Sequence, residues 1–236
     1  MAGASCTATF DGQSLAQWAA SAGHWPLLNT FLHHGSPIQQ PSGKSLLSLA
    51  AKNGHFDCVH MLYPHDGGEN LRDATIDAAK GGFVQIVSYL LGVKWSSEKE
   101  RRECIREANM EAAGQGHTSV CQYLVDSFDF ADVSEAMTAA CEGGHADTVQ
   151  FLLSRGASLS SVKWPSDKSA LHCAVESGSW DLVVAVLGLE SQQVSALDSL
   201  GRTPLIIAAK CGHVGLIDML LNKGSEILHE NEISVF

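Results

Sequence analysis

Seven times along this chain an Ala-Ala, or once an Ala-Val, is followed three or four positions later by a glycine. The aligned glycines are Gly23, Gly54, Gly82, Gly116, Gly144, Gly178 and Gly212, with spacings of 31, 28, 34, 28, 34 and 34 residues. Phased copies at such a period constrain the chain to a stacked array in which each copy completes its neighbour's core. Each copy has the same parts. A short helix carries the small residues, which let a neighbouring backbone come close. The glycine ends that helix, because the residue just past a helix C-terminus often takes a left-handed conformation. A second helix follows with an apolar stripe, as in Leu216, Ile217, Leu220 and Leu221, or Ile86, Val87, Leu90 and Leu91. Neither helix is long enough to hold by itself.

The residues ahead of the small-residue helix carry a second pattern. The last copy reads Gly201-Arg202-Thr203-Pro204-Leu205, followed by Ile206, and the sixth reads Ser169-Ala170-Leu171-His172-Cys173-Ala174. These segments, with the period, resemble the ankyrin repeat, whose signature is Thr-Pro-Leu-His-x-Ala. Ile206 stands where the family has His. The sixth copy keeps the His and lacks Thr-Pro, and copies three to five lack the segment altogether. The resemblance spans residues 11 to 228 and implies an all-α fold, an α-solenoid of about seven stacked helix-turn-helix repeats. Residues 1–10 read as a lead-in and 229–236 as a tail.

Interval length bears on the links between copies. Intervals of 28 residues, after copies two and four, leave little room for a β-hairpin finger, while the longer ones allow it. Fingers are therefore expected to be short or missing. Ser96-Ser97-Glu98-Lys99-Glu100 reads as a capped helix start, so the first helix of copy four should be extended. Gln13, Ser14, Gln17 and Ser21 dilute the first helix of copy one, as expected of a terminal repeat with a polar outer face. After Asn222-Lys223-Gly224 the pattern turns toward a further repeat that does not follow, which reads most simply as a fragment of a longer protein.

Composition excludes some classes. The net charge is −11 and the pI about 5.3, which argues against nonspecific nucleic-acid binding and against docking on an anionic membrane. No apolar run has the length of a transmembrane helix, and Met1–Phe10 lacks the marks of a signal peptide. The seven cysteines are odd in number and form no C-x-x-C pair. They read as reduced thiols, which places the protein in the cytoplasm, with the nucleus as the alternative.

Chemistry is sparse. The chain has no nucleophile elbow, phosphate loop, H-E-x-x-H or dinucleotide fingerprint, and no cofactor or metal is expected. His24, His55, His117, His145 and His213 share one repeat position, opening the second helix and bonding backbone between repeats. His33-His34 are adjacent and make a poor chelate. Cys58 and Cys121 fall on apolar stripes as core residues. Cys141 and Cys211 lie at the turn ends of first helices, where partial exposure is expected.

The family resemblance implies a protein–protein interaction scaffold or adaptor without catalysis, binding a protein or peptide on the concave face of first helices and finger loops. The alternative is a recognition module of a larger enzyme, receptor or ubiquitin-ligase adaptor. Carried onto this chain, the face includes Lys52, Lys80, Gln115, Glu142, Glu176 and Lys210. Trp95 and Trp164 add candidate anchors: Val93-Lys94-Trp95-Ser96-Ser97 and Val162-Lys163-Trp164-Pro165-Ser166 are near copies in loops. The competing reading makes each ring a plug over its own repeat. Trp18, Trp25 and Trp180 read as packing residues. Ile233-Ser234-Val235-Phe236 has the form of a PDZ-domain ligand.

Overall fold

The computed structural model describes residues 9–10, 13–36, 45–129, 133–159 and 167–224. Nearly all regular structure is helical; the one strand pair among them is short and antiparallel, β1 (Thr9–Phe10) with β2 (Gln13–Ser14). The chain divides into two compact units, residues 1–112 with 119–131, and 113–118 with 132–236. The first unit holds α1 (Leu15–Ser21), α2 (Trp25–His33), α3 (Leu46–Lys52), α4 (Phe56–Asp66), α5 (Leu71–Lys80), α6 (Val84–Gly92), α7 (Glu98–Gly114) and nearly all of α8 (Thr118–Ser127). The second holds α9 (Val133–Glu142), α10 (Ala146–Ser154), α11 (Ala170–Glu176), α12 (Trp180–Leu189), α13 (Pro204–Cys211) and α14 (Val214–Asn222). Each unit is a stack of helix pairs, the all-α solenoid architecture expected of the repeats. In the first, α1, α3 and α5 pack in series, as do α2, α4 and α6; in the second, α9, α11 and α13 do so, beside α10 and α12.

The repeat's chemistry explains each turn. All seven aligned glycines have φ between +74° and +79°, a conformation costly for any residue with a Cβ. The N–H of the residue after the glycine then reaches back five residues to a helix carbonyl: His55 to Ala50, Phe83 to Ala78 and His145 to Ala140, at 2.9–3.0 Å. Five of the glycines are also covered by side chains of the following repeat, Gly144 by Ser177 and Ser179. A Cβ on Gly23 would lie 2.5 Å from Nδ1 of His55, and Phe83, His145 and His213 stand in the same way over Gly54, Gly116 and Gly178.

The small residues of the first helices are buried as expected, including Ala50, Ala51, Ala78, Ala79, Ala112 and Ala113. On the second helices one register position, eight residues past the glycine, is filled by Leu62, Leu90, Leu124, Leu152, Val186 and Leu220, each at 0% exposure. Truncating any of the leucines to Ala should cost about 2–5 kcal/mol through lost burial and the cavity left behind.

The links follow interval length. Between α4 and α5 there is no finger; Asp66 closes the turn by accepting the Asn70 backbone N–H at 3.0 Å and its side-chain amide at 2.7 Å. The longer interval before α7 is taken up by helix. Ser97 caps it, its hydroxyl accepting the Glu100 N–H at 3.1 Å, and α7 runs for 17 residues. Between α12 and α13 come a 3-10 turn (Ser191–Ser195) and a finger turn from Asp198 to Arg202. The Asp198 carboxylate accepts the backbone N–H groups of Leu200 and Arg202 and the Arg202 guanidinium, at 2.8–2.9 Å.

Two expectations are corrected. In copy one, Ser14 and Gln17 do not form a polar outer face: they are buried as a capping box, each side chain bonding the other's backbone N–H, and Leu15 and Trp18 are exposed instead. Cys141 is fully buried, because it occupies a small-residue core position beside Ala140; Cys211 is exposed as expected.

Candidate partner-binding site

In the first unit, the face of the first helices turned away from the second helices forms an open groove. Along α3 and its N-cap the helical spacing aligns Ser45, Ser48 with Leu49, and Lys52; along α5 it aligns Asp73, Ile76 with Asp77, and Lys80. With Glu107 of α7 these side chains line a cavity of about 300 Å³. Its apolar floor is Leu49 and Ile76, and its rim is charged. Arg72 ties α5 to α7 by pairing with Glu107 and, at 3.8 Å, with Glu103. Lys80 pairs with Glu111 at 3.2 Å. Lys52 and Asp73 are exposed and have no ion pair among the described residues. The groove therefore presents one cation and one carboxylate over an apolar strip, a surface suited to a peptide rather than to bond-making chemistry.

Lys52 and Lys80 thus share one groove. Glu142, Glu176 and Lys210 lie at the exposed C-terminal ends of α9, α11 and α13, and Gln115 is exposed just after α7, all in the second unit. Glu176 is engaged by Lys168. Trp95 is half-buried over its own repeat. Its Nε1–H donates to the Leu90 carbonyl at 3.0 Å and, beside it, the Arg101 Nε–H donates to Leu91 at 3.0 Å, so the two side chains cap the end of α6. That is the plug geometry. Trp164 and the Ile233–Phe236 tail lie outside the described residues. Trp18, Trp25 and Trp180, expected to pack, are instead 52%, 47% and 52% exposed. Each ring is half open to solvent, with Trp25 beside Met61 and Pro64 of α4 and Trp180 beside Gly215 of α14.

The histidines behave as repeat elements where their bonds are seen. His55 Nε2 bonds the Ser21 carbonyl at 2.8 Å and His145 Nε2 the Gly114 carbonyl at 3.1 Å, each linking a repeat to the one before. His172 fills the capping box of α11. Its Nδ1 accepts the Ser169 N–H at 3.0 Å and its Nε2 bonds the Arg202 carbonyl at 2.9 Å, which makes it the neutral Nε2–H tautomer. Burial, against the Arg202 carbonyl's pull, lowers its pKa. Burial pushes the thiols of Cys104, Cys121, Cys141 and Cys173 up to about 12, and that of Cys58 to about 11. None is a nucleophile near neutral pH. Among the described residues, no group of three His, Cys, Asp or Glu side chains is placed to hold a metal ion. No helix there is long and apolar enough to cross a membrane.

Sequence reasoning missed Leu49, Asp73, Ile76 and Asp77. Their signal was present as i, i+3/i+4, i+7 spacing around Lys52 and Lys80, the same rule used for the core stripes.

Comparison with known proteins agrees with this architecture. A family model described as ankyrin repeats (three copies) matches residues 17–100, 75–163 and 137–231. The ankyrin repeat and KH domain-containing protein CBG24701 of Caenorhabditis briggsae is 29% identical over 219 residues, covering 85% of this chain and 8% of that protein. The ankyrin repeat and KH domain-containing protein mask-1 of Caenorhabditis elegans is 28% identical over 202 residues, covering 80% and 7%. The chain thus spans under a tenth of the length of these relatives. The crystal structure of the human ASB11 ankyrin repeat domain superposes with a TM-score of 0.68 at 20% identity, covering 92% of this chain and all of that one, a likeness of fold.

Proposed function

The chain belongs to the ankyrin-repeat family, whose repeats are protein–protein interaction modules, and we propose that it binds a protein segment in the first-helix groove of its first unit. The observation that carries this is the groove lined by Ser48, Leu49, Lys52, Asp73, Ile76 and Lys80, with Lys52 and Asp73 free to pair with a partner. A bound segment would lay apolar side chains on Leu49 and Ile76, with an acidic residue at Lys52 and a basic one at Asp73. Gln115, Glu142, Glu176 and Lys210 extend the same kind of surface on the second unit. Trp95 serves its own repeat more than a partner, because one edge of its indole is spent on the Leu90 carbonyl.

The reading assigns the repeats no catalytic step; its support is that the buried thiols are held protonated and that His55, His145 and His172 are engaged by backbone carbonyls. It places the protein in the cytoplasm or nucleus, supported by six unpaired cysteines among the described residues. A second reading, that these repeats are the recognition part of a longer protein, is favoured by relatives that carry them within far longer chains and are named for a KH domain as well. The size of the endogenous protein on an immunoblot tests it.

The experiment for the main reading is quantitative affinity capture with the full chain, comparing wild type with Lys52→Glu/Asp73→Lys. Captured proteins should fall by about tenfold in the charge-swapped chain, as for a rim that steers and fixes register, while its circular dichroism stays unchanged. Equal capture by both chains would overturn the assignment of the groove.

A further inference from the structure

Large apolar side chains exposed by more than a third fall, among the described residues, in only two stretches, Leu15–Leu27 and Trp180–Leu221. The second stretch contains a helix face that the repeat does not explain. Outward positions of the second helices recur at i, i+4 and i+8. In α10 they are Ala146, Gln150 and Ser154, a solvated set; in α12 they are Trp180, Val184 and Gly188. Trp180 and Val184 are 52% and 49% exposed, and Val214, at the matching place on α14, is 70% exposed. α12 is thus apolar on its outer as well as its inner side, which in a surface helix marks an unpartnered face. The core of this repeat is filled by Leu182, Val183 and Val186, and the Trp180 ring lies at the surface beside Gly215 of α14, half of it open to solvent.

Between α10 and α12 the same face sinks into a cavity of about 420 Å³. Its charged groups are the carboxylates of Asp147 and Asp181, with His145 and Gln150 on the wall. His145 is occupied by the Gly114 carbonyl. In the same register α14 follows Val214 with Asp218, also exposed. None of these three aspartates has an ion pair among the described residues. The apolar ridge of Trp180, Val184 and Val214 is therefore bordered by Asp147 and Asp181 and followed on α14 by Asp218.

We propose that this face of the second unit is a docking surface for a basic amphipathic helix of a protein partner. The helix would lay its apolar edge across Trp180, Val184 and Val214 and send an Arg or Lys side chain into the Asp147–Asp181 cavity. Charge selects this occupant over others. A second copy of the chain would set Asp181 and Asp218 against their own duplicates on a molecule of net charge −11. An anionic membrane would meet the same acidic border and be repelled. Nothing beyond α12's own backbone lies within 4 Å of where a Cβ on Gly188 would stand, so that end of the ridge is open to solvent. This surface is separate from the groove of the first unit and does not depend on it.

The test is a displayed library of helices selected on the full-length chain, with Val184→Glu as the counter-selection target. Selected helices should carry an apolar i, i+4 edge flanked by Lys or Arg. Their affinity should fall at least about tenfold on Trp180→Ala and on Asp147→Asn/Asp181→Asn, and stay unchanged on Lys52→Glu. All variants are checked for native circular dichroism and melting temperature. Selection of acidic helices, or failure to recover any helix that discriminates against Val184→Glu, overturns the proposal. So does sedimentation showing a dimer of the chain that Val184→Glu dissolves, or binding to phosphatidylserine vesicles that Val184→Glu abolishes.

Discussion

Gly143 shows how one residue can be fixed by its neighbours' backbone. A Cβ there would stand 2.5 Å from the Gly114 carbonyl oxygen and 2.6 Å from the His145 ring. Gly143→Ala should therefore destabilise the chain by about 2–3 kcal/mol, a cost of strain rather than propensity, measured by urea unfolding. His172 is fixed by hydrogen bonds in a way that makes it pH-sensitive. Its Nδ1 accepts the Ser169 N–H, so protonation there sets two donors face to face. Its pKa is lowered by burial, so the stabilisation it brings is present above the ordinary histidine value of 6.5 and is lost as pH falls through the lower folded value. Melting temperature should fall over that acid range, and His172→Gln should flatten the dependence. The thiols give a third outcome. Iodoacetamide at pH 8 should label Cys211 and spare Cys58, Cys104, Cys121, Cys141 and Cys173 in the folded chain, with full labelling in urea. Equal labelling of Cys141 and Cys211 would contradict the burial described above.

Helices and links divide into those that sequence states outright and those that packing decides. The Ala-Ala pairs, the glycine turns and the cap at Ser97 were legible, because each depends on residues close in sequence. Ser97→Ala should cost about 1 kcal/mol and speed amide exchange in the first turn of α7. The outer faces were less legible. Trp18, Trp25 and Trp180 read as core because large aromatics are buried on average, and only the register of the helix against its glycine shows them pointing outward. Trp95 illustrates the opposite case. A loop tryptophan reads as exposed, yet its N–H finds the end of α6. Trp95→Ala should therefore lower stability by about 1–3 kcal/mol through lost burial and an uncapped carbonyl, measured by the same urea titration. No loss of stability would return Trp95 to the role of anchor. The groove in the first unit was half legible: its lysines were found from the repeat register, and the apolar floor of Leu49 and Ile76 between them was not, because an apolar residue on a first helix carries no mark that tells a groove floor from the core.

At the scale of the whole molecule, stacked repeats make a protein whose surfaces can be used separately. The inner edges of α3 and α5 offer a charged rim over an apolar floor, and the outer edges of α12 and α14 offer an apolar ridge with an acidic border. Both are explained by departures from the repeat, since the positions that serve the stack are filled by small residues on the first helices and by aliphatic ones, Leu above all, on the second. The central claim is that partners engage the first-helix groove. Hydroxyl-radical footprinting of the full chain, alone and with its most strongly captured protein, tests this at single side chains. The account predicts protection of the half-buried Leu49 and of Lys52 and Lys80, with His60, Met61 and Tyr63 on α4 unchanged. Protection of the α4 residues with Leu49, Lys52 and Lys80 still reactive would contradict it.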